Sequence, residues 1–172
     1  MSTCDNTSVG VLIERDNRYL MFERQTFPPG IAPPAGHVDA HGAPEQAATA
    51  ETREEVGLTV TGLTLLDEVW LPNRCRRQPG PSGVGHQWTL FRAEVSGVLD
   101  LDPREARSPL WCDPSNLQWL ADNTLRGSLL AGHGLALEPA WCLLLDRLGV
   151  IRLGGALGRA LRLAQTEPEE AR

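Results

Sequence analysis

Glu51, Glu54 and Glu55 fall at i, i+3 and i+4 of a segment, Ala43 to Val56, that reads as a helix. That spacing places three carboxylates on one helical face. Like charges so close repel by about a few tenths of a kcal/mol per pair, and Arg53 lies on a different face. A divalent cation would relieve that repulsion. Hard Mg²⁺ or Mn²⁺ prefers carboxylate oxygens and keeps its other positions for water and substrate phosphate. The competing account is a solvated acidic helix face. A rival metal set is His37, Asp39 and His41, which alternate, so an extended chain turns all three to one side. Imidazole and carboxylate are common zinc ligands, but no further His or Cys lies at useful spacing.

The elements that must position these groups are legible from pattern and punctuation. Ser8 to Arg15 and Arg18 to Arg24 are apolar-rich runs around Asp16-Asn17, the pattern of a β-hairpin. Four prolines between Thr26 and Ala35 forbid a regular element there. Pro44 suits the first turn of the acidic helix, Glu45 its positive end, and Gly57 its stop. Leu58 to Leu71 alternates well enough for one or two strands. Pro72 to Gly85 is a long loop holding Arg74, Arg76 and Arg77, and His86 to Val95 is another alternating strand. Ser96 to Pro109 reads as connection, with a short strand at Leu110 to Cys112. Asp113-Pro114-Ser115 caps a short helix through Leu120. Pro139 to Leu148 reads as a strongly apolar helix, fitting either core or a homodimer face. The expected fold is one domain over residues 1–165, an α/β/α sandwich with a mixed sheet. A charged, disordered tail is expected over 166–172.

Composition narrows the function classes. The chain has 172 residues, 22 acidic against 16 basic, and a net charge of −6. An acidic chain lacks the basic face that nucleic-acid binding needs. All 16 basic residues are arginine, which excludes a P-loop lysine, a Schiff base and a Ser-Lys dyad. No apolar run reaches the ~18 residues of a membrane span, and the polar N-terminus is no secretory signal. The four cysteines, Cys4, Cys75, Cys112 and Cys142, form no C-x-x-C pair and suggest neither a zinc finger nor a disulfide framework. They are expected to be reduced in the cytoplasm.

The segment Gly36 to Leu58, GHVDAHGAPEQAATAETREEVGL, resembles the signature of the Nudix hydrolase family, G-x5-E-x7-R-E-U-x-E-E-x-G-U with U a bulky apolar residue. The spacing holds without a gap from Gly36 through Glu51, Glu54, Glu55, Gly57 and Leu58. Three positions depart: Gly42 replaces the first glutamate, Ala50 the arginine, and Thr52 an apolar residue. The losses at 42 and 50 are read as coupled, since removing one charge of a pair favours removing the other.

The resemblance implies a Mg²⁺- or Mn²⁺-dependent pyrophosphohydrolase, with water attacking a phosphorus of a nucleoside diphosphate linked to another moiety. A nucleotide-sugar is the first expectation for the substrate, because a long arginine-bearing loop could close over a second moiety. The alternatives are a nucleoside triphosphate pyrophosphohydrolase and a nucleotide-sensing module of weak activity. By carry-over, Glu51, Glu54 and Glu55 are the catalytic and metal residues. The Gly36 carbonyl and Glu105, with Asp102 behind it, complete the metal set. Arg24 stands where the family often places a phosphate-contacting arginine, and its fork suits a pyrophosphate oxygen. Arg76 and Arg77, beside Arg74, are expected to clamp substrate or else to solvate their loop. Trp88 and Trp70 are read either as stacking platforms or as core.

Overall fold

In the computed structural model, residues 2–130 and 135–166 are described. Strand β1 (Thr7–Arg15) and strand β2 (Arg18–Arg24) form the expected hairpin. Asp16 and Asn17 both take positive φ, 53° and 57°, as a tight type I′ turn demands. The proline-rich stretch is less irregular than expected, for it holds two short strands, β3 (Ile31–Ala32) and β4 (Ala35–His37). A single 3-10 turn, Asp39–His41, leads to helix α1 (Pro44–Val56). Gly57 closes that helix at φ 72°, its N–H donating to the Arg53 carbonyl at 3.0 Å, the left-handed cap that glycine adopts without strain.

One long strand, β5 (Thr59–Leu71), follows, bulged between Val60 and Gly62 and between Leu65 and Asp67. The arginine loop leads to β6 (His86–Ser96), then β7 (Ala106–Cys112), and helices α2 (Pro114–Leu130), α3 (Pro139–Arg147) and α4 (Gly155–Thr166). The sheet order is β3-β2-β1-β6-β5, with β4 on β1 and β7 on β2. β1 and β6 run parallel while the other named pairs are antiparallel, so the sheet is mixed.

Alternation along the strands gives each face its own core. Val9, Val11, Ile13, Leu20, Phe22, Phe91 and Ala93 pack under α1, whose Ala47 and Ala48 let the helix lie close. Leu12, Met21, Trp88 and Leu90 point the other way, against α2, α3 and α4. This is the α/β/α sandwich. Gly10 on β1 has a packing reason: a Cβ there would lie 2.5 Å from the Trp141 ring of α3.

Three elements differ from expectation. β7 begins four residues earlier than the short strand read from sequence, because it zips along β2 from Tyr19 to Arg24. Pro109 is accommodated by an irregularity opposite Met21 to Glu23, where Ser108 takes φ 52°, a place where a missing N–H breaks no ladder. α2 runs ten residues beyond Leu120, since Ala121 and Leu125 continue the buried stripe of Leu117 and Leu120. α3 buries every residue from Ala140 to Leu145, so its apolar surface is covered within this chain and is core, not a dimer face. No described helix is long and apolar enough to cross a membrane. The tail expected to be disordered lies, beyond Thr166, outside the described residues.

Candidate active site

The site forms where the buried face of α1 meets β4. Glu55 is 3% exposed, and one of its carboxylate oxygens accepts from the Ala35 backbone N–H at 2.9 Å. Glu51 lies against Gly36 so closely that a Cβ there would sit 1.8 Å from its Oε1. Any side chain at 36 would displace the Glu51 carboxylate from this position. Glu54 is exposed at the cavity mouth. Burial, then the charges of Glu54 and Glu105, push Glu51 up to about 7. Burial raises Glu55 further, to about 8, against the pull of Arg24 and the Ala35 N–H.

Arg24, at the end of β2, is the cation that both glutamates feel. It is held by the following loop: Nε donates to the Pro28 carbonyl at 3.0 Å and Nη2 to the Thr26 hydroxyl at 3.2 Å. Glu105 reaches the same cavity, its carbonyl accepting from Gln25 N–H at 2.9 Å beside the end of β2. Asp102 does not line it; its carboxylate is taken by Arg104 at 2.6 Å. Sequence reasoning missed Glu138. This carboxyl is 4% exposed, lines the cavity, and caps α3 by accepting from the Ala140 N–H at 3.1 Å. Burial raises its pKa as well, and Arg24 opposes the rise. Its signal in the sequence is an acid at a cap position immediately before an otherwise apolar helix.

The three departures from the signature have local explanations. Thr52 is fully buried but satisfied, its hydroxyl donating to the Ala48 carbonyl at 2.8 Å. Gly42 sits at φ 94°, where a glutamate would be strained. With alanine at 50, Arg24 supplies the positive charge beside the helix carboxylates from a different element, β2.

The other expected residues are divided. Arg74, Arg76 and Arg77 line a cavity of about 250 Å³ with the carboxylates, and also a neighbouring one of about 530 Å³. Arg77 is committed to Asp39 by two hydrogen bonds of 2.5 and 2.7 Å, so it anchors the loop to the 3-10 turn. Trp88 lines the cavity but is 6% exposed, and its ring packs edge-on to Trp141 and His86. That is the core role weighed against stacking. Trp70 does not line the cavity; its ring covers Gly85. His37, Asp39 and His41 do not converge as a triad: Asp39 goes to Arg77, and His37 turns toward His86.

The donor set suits a hard divalent cation. Buried Glu55 and half-buried Glu51, both with raised pKa, line one cavity with Glu54 and Glu105, and a cation among these oxygens would keep them ionised.

Known proteins point the same way. The family model described as NUDIX domain matches residues 5–130. None of the curated proteins matches this sequence. Among solved structures, the fold is similar to that of a MutT NUDIX hydrolase from Burkholderia pseudomallei, at 24% identity over 67% of this chain and 86% of that one, with a TM-score of 0.52. It is similar to a C. elegans Ap4A hydrolase at 25% identity, over 73% of this chain and 93% of that one, with a TM-score of 0.51. A dihydroneopterin triphosphate pyrophosphohydrolase from E. coli shares the fold at 23% identity, over 67% and 85% of the two chains, with a TM-score of 0.54. With its family match spanning most of the sequence and the signature helix set against Gly36, this chain belongs to the NUDIX family of hydrolases, which act on phosphoric anhydride bonds.

Proposed function

We propose that this hydrolase cleaves a nucleoside diphosphate linked to another moiety, with a nucleotide-sugar as the first substrate class to test. The observation carrying this reading is the arginine loop, whose Arg74, Arg76 and Arg77 line both the carboxylate cavity and a second, larger cavity. A pyrophosphate beside Arg24 and Arg76 leaves that second space for the group beyond it. Glu51, Glu54, Glu55 and Glu105, with the Gly36 carbonyl, would hold Mg²⁺ or Mn²⁺. When bound, the ion neutralises phosphate charge and lowers the pKa of water. Arg24 orients a phosphate oxygen with its fork. Glu51, kept ionised by the cation, would be placed to take a proton from the attacking water. The acidic balance of the chain supports a free nucleotide over nucleic acid as substrate. In the proposed enzyme, residues 1–165 form one cytoplasmic hydrolase domain.

The test is release of nucleoside monophosphate or phosphate across nucleotide-sugars, dinucleotides and nucleoside triphosphates, with Mg²⁺, with Mn²⁺ and with neither. Release from nucleotide-sugars that is lost in a folded Glu54→Gln variant is the expected result. Release from triphosphates alone would move the assignment to a triphosphate pyrophosphohydrolase. Micromolar nucleotide binding without turnover would replace the enzyme with a sensor.

A further inference from the structure

Four soft or borderline donors converge outside the carboxylate cluster. Cys4 precedes β1, His37 ends β4, Cys75 lies in the arginine loop, and His86 opens β6. One ligand atom from each lies within 4.8 Å of all the others. The Cys4 Sγ is 3.1 Å from His86 Nε2 and 3.4 Å from His37 Nε2. In a tetrahedral zinc site, bond lengths near 2.3 Å to sulfur and 2.0–2.1 Å to nitrogen put neighbouring S and N ligands roughly 3.6 Å apart. The four side chains are already close to that arrangement.

A thiol hydrogen bond explains less. One S–H proton can serve one acceptor, whereas two imidazole nitrogens face the same sulfur and a second thiol stands beside it. The tautomer of His86 follows from its outer partner. Asn73 Oδ1 lies 2.9 Å from His86 Nδ1 and also 3.1 Å from Trp88 Nε1. Indole N–H is only a donor, so the shared Asn73 atom is the acceptor oxygen and His86 Nδ1 carries the proton. Its Nε2 is thereby left with a free lone pair turned to Cys4, the arrangement that an outer hydrogen-bond acceptor imposes on metal-binding histidines. Both cysteines also receive a backbone donor two residues on: Asn6 N–H to Cys4 Sγ at 3.3 Å and Arg77 N–H to Cys75 Sγ at 3.2 Å. Such donors stabilise thiolate charge.

We propose that Cys4, His37, Cys75 and His86 form a structural zinc site, separate from the magnesium-type carboxylate cluster. Two thiolates and two neutral imidazoles neutralise Zn²⁺ and fill its coordination, with no position left for water or substrate. Sulfur and imidazole select zinc, and carboxylate oxygens select magnesium, so the two sites sort their ions by chemistry. The site pins the arginine loop and the N-terminal stretch to β4 and β6. Arg74, Arg76 and Arg77 are thereby fixed at the cavity, and the ligand His37 directly follows Gly36 in the chain.

The test uses full-length, tag-free protein purified without chelator. Elemental analysis is expected to find about one zinc per chain, the stoichiometry of a closed four-ligand site. Cobalt replacement is expected to give a thiolate-to-metal charge-transfer band and intense tetrahedral ligand-field bands. Both are lost in Cys75→Ser and retained in Cys112→Ser. Should Cys75→Ser fail to fold, stripping and reconstituting the wild-type protein gives the same cobalt spectrum or fails to. Zinc-free folded protein, a cobalt spectrum lacking the thiolate band, or a native mass showing a Cys4–Cys75 disulfide would each overturn the proposal.

Discussion

Glu55→Gln removes a charge from the most buried carboxyl of the α1 cluster and keeps an oxygen to accept from the Ala35 N–H. Because burial raises this group from 4.5 to about 8, the folded protein holds a proton that the unfolded chain releases between those values. Below about pH 4.5 the two states are protonated alike and the residue costs nothing. As pH rises through the window, wild-type stability falls, and above pH 8 the full penalty of the buried anion is present. Each tenfold difference in proton affinity between the two states is worth about 1.4 kcal/mol, so the penalty grows by about 3 kcal/mol between pH 5 and pH 8. Urea unfolding of wild type and Glu55→Gln in magnesium-free buffer at pH 5, 6.5 and 8 reads the difference directly. The variant is expected to lie close to the wild type at pH 5 and to be clearly more stable at pH 8. Adding Mg²⁺ is expected to close much of the gap at pH 8, because an ion bound to the folded state stabilises the wild-type carboxylate. Parallel stability curves across the pH range would refute the reasoning, since they would mean that Glu55 ionises in the fold as it does in water.

Gly36→Ala drives a methyl into the Glu51 carboxylate and is expected to weaken Mg²⁺ activation by roughly ten- to a hundredfold, measured as the Mg²⁺ dependence of turnover. Arg24→Gln removes the cation that holds Glu51 and Glu55 down. The acid limb of its pH–rate profile at limiting Mg²⁺ is expected to move to higher pH; an unmoved limb would exclude this role. Gly42→Glu alone places a side chain at φ 94° and is expected to cost roughly 1–3 kcal/mol. Gly42→Glu combined with Ala50→Arg is expected to recover part of that loss in thermal unfolding. Additive effects would end the coupling argument.

Legibility follows sequence distance. The hairpin at Asp16-Asn17 and the α1 cap at Gly57 are local, and both stand where their turn chemistry puts them. The face shared by Glu51, Glu54 and Glu55 needs only helical periodicity. Its docking against Gly36 needs the signature spacing as well. By contrast, the start of β7 is set by pairing with β2, about eighty residues earlier in the chain, which no local window contains. The cysteine–histidine cluster is hidden for the same reason. Cys4 meets His37 across 33 positions and His86 across 82, so spacing rules built on short metal-binding motifs pass over it. Glu138 reads as a helix start because its cap position is visible in the sequence and its burial in the site is not.

The slot that Gly10 keeps open for Trp141 ties the first strand to a helix that follows all the other strands in the chain. The family match ends at residue 130, before that helix begins. On the ribosome, the hairpin and the acidic helix can cover one side of the sheet early. The opposite side, with Leu12, Met21 and Leu90, is covered only in part by α2 and needs α3 and α4 to complete it. Until α3 emerges, the nascent chain exposes part of an apolar sheet face, the kind of surface that chaperones recognise. A fragment cut at the family boundary would keep α2 and leave permanently exposed the part of the face that α3 and α4 cover.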